Sequence, residues 1–240
     1  MIKKFMDYLQ YFKYKFFGSP KLKQELLLRL ALKEKGFNIK KLNIVIDHKT
    51  GTNYINGIKL GIKYPDSFFI QSGNLIPANK TISYYFNGNM SETGGRKIML
   101  QPFFSLLDAI VIESDDGRVA DKKDKFNEQY FQGLANAKYG LCPHQADWVG
   151  NEDSLWTYRF VECCLVEAIP ILFKKAPLSE NFTKDFYFLW DNQIFDATDK
   201  GGFSHVESQA RHNRDKAKEL FFLTDEECTQ IKKTLKISTR

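Results

Sequence analysis

Cysteine is scarce in this 240-residue chain. The four present, Cys142, Cys163, Cys164 and Cys228, include one adjacent pair and no C-x-x-C spacing, which removes both a disulfide framework and a zinc pattern. Reduced thiols are expected. Long apolar runs are also lacking: residues 106–112, the longest, are broken by Asp108 and fall far short of the ~20 residues of a spanning helix. The opening MIKKFMDYLQYFKYKFF is a poor secretory signal for the same reason, so a cytoplasmic start is expected. There is no internal repeat, no low-complexity stretch, and no RNP or recognition-helix signature, so no nucleic-acid partner is expected. The excess of positive charge is only +6, which suits a phosphate-bearing substrate, an anionic membrane surface or a nucleic acid and does not choose among them.

What is present belongs to a globular chain. Hydrophobic residues make up 43% and charged residues 27%, and a chain of this length buries enough surface to fold without staples. Residues 2–17 place Ile2, Phe5, Met6, Leu9, Phe12 and Phe16 at helical spacing, with Lys3, Lys4, Lys13 and Lys15 largely off that stripe. Such a helix either docks on its own core or lies in an anionic headgroup layer. A Leu-rich helix follows over 21–35. Short β-branched or aromatic runs at 42–46, 82–86, 109–112, 139–141 and 169–173 read as strands, with helices over 96–107, 125–137 and 154–167. Strands alternating with helices predict an α/β domain with a mostly parallel sheet, whose ligands bind beyond the carboxyl ends of the strands. The loops after Ile46, Phe86, Ile112 and Leu141 are therefore the places to seek chemistry. Residues 204–240 read as a charged helical cover, broken near Leu223, with Thr224 and Glu227 at capping-box spacing.

Unusual residues are densest in Lys138-Tyr139-Gly140-Leu141-Cys142-Pro143-His144 and in the helix that opens at Asp153-Ser154. A strand, a loop with Gly and Pro, and a helix start put backbone N–H groups and a positive helix end at one point, which makes an anion site. Arg159 and Glu162 share a face of that helix. Glu162 is either a carboxylate placed to accept from the two hydroxyls of a ribose or half of an ordinary surface ion pair.

The run AKYGLCP, a polar loop, then SLWTYRFVECCLVEAIPILF resembles the nucleotide-sugar-binding motif of exostosin-like glycosyltransferases, and YYFNGNMSETGGRK resembles their upstream strand and phosphate loop. The resemblance covers roughly residues 82–175. It implies a GT-B-like fold of Rossmann-like parallel sheets with helices on both faces. Residues 1–80 would be N-terminal helices with a reduced acceptor-side lobe, and 81–240 the nucleotide-sugar-binding lobe with C-terminal helices. It implies a transferase moving a sugar from a nucleoside-diphosphate donor to a hydroxyl of a glycan or glycolipid, with no obligate cofactor or metal. Carried over residue by residue, Arg96 would meet the diphosphate, Ser154 and Arg159 would line the donor site, and Glu162 would hold the ribose. Gly88, Lys97, His144 and Tyr158 complete the expected donor site. Ala168 stands where the family usually has Gly.

An inverting transfer needs a base opposite the donor. Asp47 and His48 are the residues assigned to that role, with Asp66 a further candidate. A rival reading takes Glu113, Asp115 and Asp116, which end a hydrophobic strand, as the metal-holding cluster of a GT-A-type enzyme; a solvated acidic turn explains the same residues. A non-enzymatic alternative is a membrane-surface or polyanion-binding module working through residues 2–17.

Overall fold

The computed structural model describes residues 20–47, 52–90, 95–114, 126–144, 157–174, 176, 180–198 and 204–237. Helix α1 (Pro20–Glu34) leads through a 3-10 turn at Ile39–Lys41 into an antiparallel meander of β1 (Ile44–Asp47), β2 (Thr52–Ile55) and β3 (Ile58–Leu60). β2 and β3 join through Asn56-Gly57, with φ of 49° and 85°, the left-handed backbone that a two-residue hairpin turn requires. The run at 42–46, expected to begin the parallel series, instead belongs to this separate sheet. Its link to β2 is far shorter than the crossover of about a dozen residues that a parallel neighbour needs.

After α2 (Asp66–Asn74) the chain builds the parallel sheet expected from the alternation. The elements follow as β4 (Ile82–Gly88), α3 (Arg96–Leu100) running into a 3-10 turn at Gln101–Ser105, β5 (Ala109–Glu113), α4 (Glu128–Ala135) and β6 (Ala137–Cys142). Then come α5 (Tyr158–Leu165), β7 (Ile169–Leu172), α6 (Glu180–Asp185), β8 (Leu189–Trp190), α7 (Asp191–Thr198), α8 (Glu207–Phe221) and α9 (Asp225–Ile237). The five strands stand in the order β5-β4-β6-β7-β8, every pair parallel. This is a Rossmann-like α/β sheet of the doubly wound kind. The chain leaves β4 to one side for β5, then returns to the other side for β6, so its topological switch point lies between β4 and β6.

Side chains alternate between two cores, as the pleat dictates. Tyr85, Cys142 and Leu172 face one core with residues of α4, α5 and α8, while Phe86, Tyr139, Leu141, Ile169 and Ile171 face the other with Leu100, Phe103 and Ile194. β7 is buried along its whole length, which is why it reads as an unbroken apolar run. Gly140 lets α5 approach β6 closely, because a Cβ there would lie 2.1 Å from Cys163 Sγ. At the amino end of the sheet, Lys80 Nζ donates to the carbonyls of Ala135 at 2.6 Å and Val166 at 3.0 Å, placing one cation on the carbonyl ends of both α4 and α5.

The meander packs on α1 and α9 through Leu28, Leu32, Ile55, Leu60, Leu223 and Ile231. Buried Lys63 fastens the junction, donating to the Leu220 and Phe222 carbonyls and pairing with Glu227 at 2.8 Å. Asn56 Nδ2 also donates to Thr234 Oγ1 at 2.9 Å, across 178 residues of sequence. The expected capping box opens α9: Glu227 N donates to Thr224 Oγ1 and Thr224 N to Glu227 Oε2. No helix among the described residues is long and apolar enough to cross a membrane.

Candidate functional site

The register Tyr84↔Tyr139 and Tyr85↔Gly140 between β4 and β6 sets the two strands side by side, β4 closing at Gly88 and β6 at Cys142. Both strand ends therefore present their next residues at the switch point, where a doubly wound sheet opens a crevice. Asn87 organises this end of β4. Its Oδ1 accepts from Ser114 Oγ, beyond β5, and its main-chain carbonyl accepts from Arg159 Nη2 at 2.7 Å.

Arg159 stands in the first turn of α5, with Thr157 as the preceding N-cap residue. Its guanidinium lies over the Phe86 ring, with Cζ 4.2 Å from the centroid, a cation–π contact that holds it flat against the end of β4. A Cβ on Gly88 would sit 2.5 Å from Arg159 Nη2, so glycine is needed for this close approach. Burial opposes the charge, and Tyr130 and Glu162 beside it more than offset that, so the Arg159 pKa lies above its ordinary value. Arg159 Nε is buried with no hydrogen-bond partner among the described residues.

His144 follows β6 and is 7% exposed, with Nδ1 likewise buried and without a hydrogen-bond partner among the described residues. Burial and the nearby Arg96 push its pKa below the ordinary 6.5, with Asp191 pulling the other way. Arg96 opens α3 behind Gly95, which takes the left-handed φ of 66°, and its Nη1 donates to the Asn89 carbonyl at 3.4 Å. Two guanidinium groups and a neutral imidazole thus gather around the ends of β4 and β6, arranged to receive an oxyanion. Lys97 is exposed and lines a neighbouring groove of about 460 Å³ with Gly95, Ile98, Gln101 and Phe104.

Glu162 departs from the place expected of it. It is 1% exposed, and its carboxylate accepts from Tyr64 at 3.2 Å and from Tyr130. Both oxygens are engaged inside the core, so the ribose role does not fit this placement, nor does a surface ion pair. Glu162 is instead the buried counter-charge of Arg159. Tyr158 is partly buried, its carbonyl accepting from the Tyr64 hydroxyl at 3.5 Å. Asp47 ends β1 opposite Thr52, in the antiparallel sheet. Asp66 is held by Lys35 at 2.7 Å and Lys218 at 2.8 Å, an ion-paired helix start. His48, Ser154, Asp115, Asp116 and the helix expected over 2–17 lie outside the described residues. Glu113 ends β5 exposed, and among the described residues no group of three or more His, Cys, Asp or Glu gathers to hold a metal ion.

Asn87 is the site residue that sequence reasoning passed over. The signal was its place directly after the strand run at 82–86, at a point where a polar side chain can bind back to neighbouring loops. Neither protein-family models nor curated protein sequences match this chain, so the case for its function is the geometry of this crevice.

Proposed function

We propose that the chain is a glycosyltransferase that holds a nucleoside-diphosphate-sugar at the carboxyl ends of β4 and β6 and passes the sugar to a hydroxyl of a glycan or glycolipid. One observation carries this reading: Arg159 Nε and His144 Nδ1 are buried and, among the described residues, unpartnered at the switch point of a doubly wound sheet. Leaving such an atom unpaired costs about 1–3 kcal/mol, a cost that a bound phosphate oxygen offsets.

In the reaction the bond from the anomeric carbon to the diphosphate oxygen breaks, and negative charge grows on the departing phosphate. Arg96 and Arg159 stabilise that charge by donating to its oxygens, and the start of α5 adds its dipole. Neutralisation by these groups supports transfer without an obligate metal. The acceptor hydroxyl attacks the anomeric carbon and gives its proton to a base, the role assigned to Asp47 or His48. A GT-B-like arrangement with residues 1–80 on the acceptor side belongs to the same proposal, as does tethering of residues 2–17 to an anionic membrane near a glycolipid acceptor.

The test is a melting-temperature screen of the full chain with UDP-, GDP- and TDP-sugars at millimolar concentration, followed by transfer assays with and without EDTA. A rise with at least one donor, and turnover that survives chelation, is the expected result. No rise with any nucleotide-sugar would remove the enzyme reading. Loss with EDTA, restoration by Mn²⁺ and inactivity of Asp115→Ala would transfer the chemistry to the Glu113–Asp116 cluster.

A further inference from the structure

We propose that His144 binds the phosphate directly and takes up a proton from solvent as it does so, which couples occupancy of the crevice to pH. This inference rests on the reading of the crevice as a diphosphate site. It goes beyond the donor-site place expected of His144 by giving that histidine a proton to take up with the ligand.

Three features of the fold meet at this residue. His144 follows the end of β6, within electrostatic reach of Arg96, whose Nη1 donates to the Asn89 carbonyl. Its Nδ1 is buried and no donor or acceptor among the described residues satisfies it. Among the described residues the charged groups acting on it are Arg96, from the start of α3, and Asp191, from the start of α7. Asp191 is engaged elsewhere as well, its Oδ1 accepting from the Lys174 N–H at 3.2 Å.

An empty crevice is therefore a place where protonation is unfavourable, because the imidazolium would be buried against a guanidinium. A phosphate reverses the balance. With a phosphate oxygen beside it, Nδ1 gains an N–H bond from a solvent proton and donates it to that oxygen, so the anion is held by Arg96, Arg159 and a histidinium together.

The measurement is histidine imidazole NMR on the full chain, which has four histidines, titrated in pH alone and with saturating UDP-glucose or inorganic pyrophosphate. His144→Gln assigns the resonance; should that variant fail to fold, His48→Gln, His205→Gln and His212→Gln assign it by elimination. The expected result is a rise in the His144 midpoint of about one unit on binding, equivalent to a tenfold gain in affinity on acidification through that range. If either probe binds and the His144 midpoint stays in place, the inference is overturned while the diphosphate reading stands. A rise with pyrophosphate, without binding of any nucleotide-sugar, supports proton uptake and overturns the transferase reading. Binding of neither probe to the folded chain overturns both.

Discussion

Arg159 donates from α5 to the main-chain carbonyl of Asn87 at 2.7 Å, and in doing so spans the distance between the start of that helix and the end of β4. Hydrogen bond, aromatic stacking and charge all use one planar group. Lysine supplies the charge alone. Arg159→Lys is expected to lose tenfold or more in nucleotide-sugar affinity and about 1–2 kcal/mol of stability. Calorimetry and urea denaturation measure the two effects. Wild-type affinity in the lysine variant would show that the crevice reads charge without geometry.

Glu162 makes a contrasting prediction, since its tyrosine partners and its proximity to Arg159 place it in the framework. Removing it takes a buried acceptor from the Tyr64 and Tyr130 hydroxyls and a counter-charge from Arg159. Glu162→Ala is expected to destabilise by about 3 kcal/mol or more, and Glu162→Gln by less, because the amide oxygen still accepts. A ribose ligand would show the opposite pattern, with affinity lost and the melting temperature unchanged.

Gly140 and Cys163 form a pair whose effects should not add. A methyl on Gly140 collides with Cys163 Sγ, so Gly140→Ala is expected to cost about 2–3 kcal/mol. Cys163→Ala removes the colliding sulfur and should recover at least 1 kcal/mol of that loss in the double variant. Strict additivity, read from denaturant midpoints, would place the strain elsewhere.

Acid should weaken the fold through two histidines. His144 and His205 are both held below the ordinary value of 6.5, chiefly by burial, so the folded chain binds fewer protons than the unfolded chain in that window. Stability is then complete above about pH 6.5 and falls as pH drops toward the lower folded values. Urea midpoints at pH 7.5 and 5.5 should differ, and His144→Gln with His205→Gln should narrow the gap. An unchanged gap in the double variant would assign acid sensitivity to other groups.

The parallel sheet was legible because its central strands β6 and β7 are buried on two faces and therefore read as compact apolar runs, Ile169-Pro170-Ile171-Leu172 most plainly. Arg96, Arg159 and His144 were legible because each directly follows a strand or opens a helix, positions that the topology carries to the switch point. The small meander was not recognised. β2 and β3 are only four and three residues long, too short to display a clear alternation, and their signal was the Asn56-Gly57 turn. Glu162 was misplaced for a different reason: its partners Tyr130 and Tyr64 lie 32 and 98 residues away, and no local spacing reports such a contact. Period and turn chemistry are written locally. The satisfaction of a buried carboxylate is not.

The bond between Asn56 and Thr234, with the ion pair of Lys63 and Glu227, gives the chain a timetable. Contacts across such separations are late events, since the loop must close before they return any stability. During synthesis the meander emerges early but lacks α9, the helix that covers it, until nearly all of the parallel sheet has been made. Its apolar face, including Ile55 and Leu60, is meanwhile open to other chains. A ribosome-bound intermediate lacking α9 should therefore depend on chaperones, and aggregation should begin at this small sheet while the larger one is already formed.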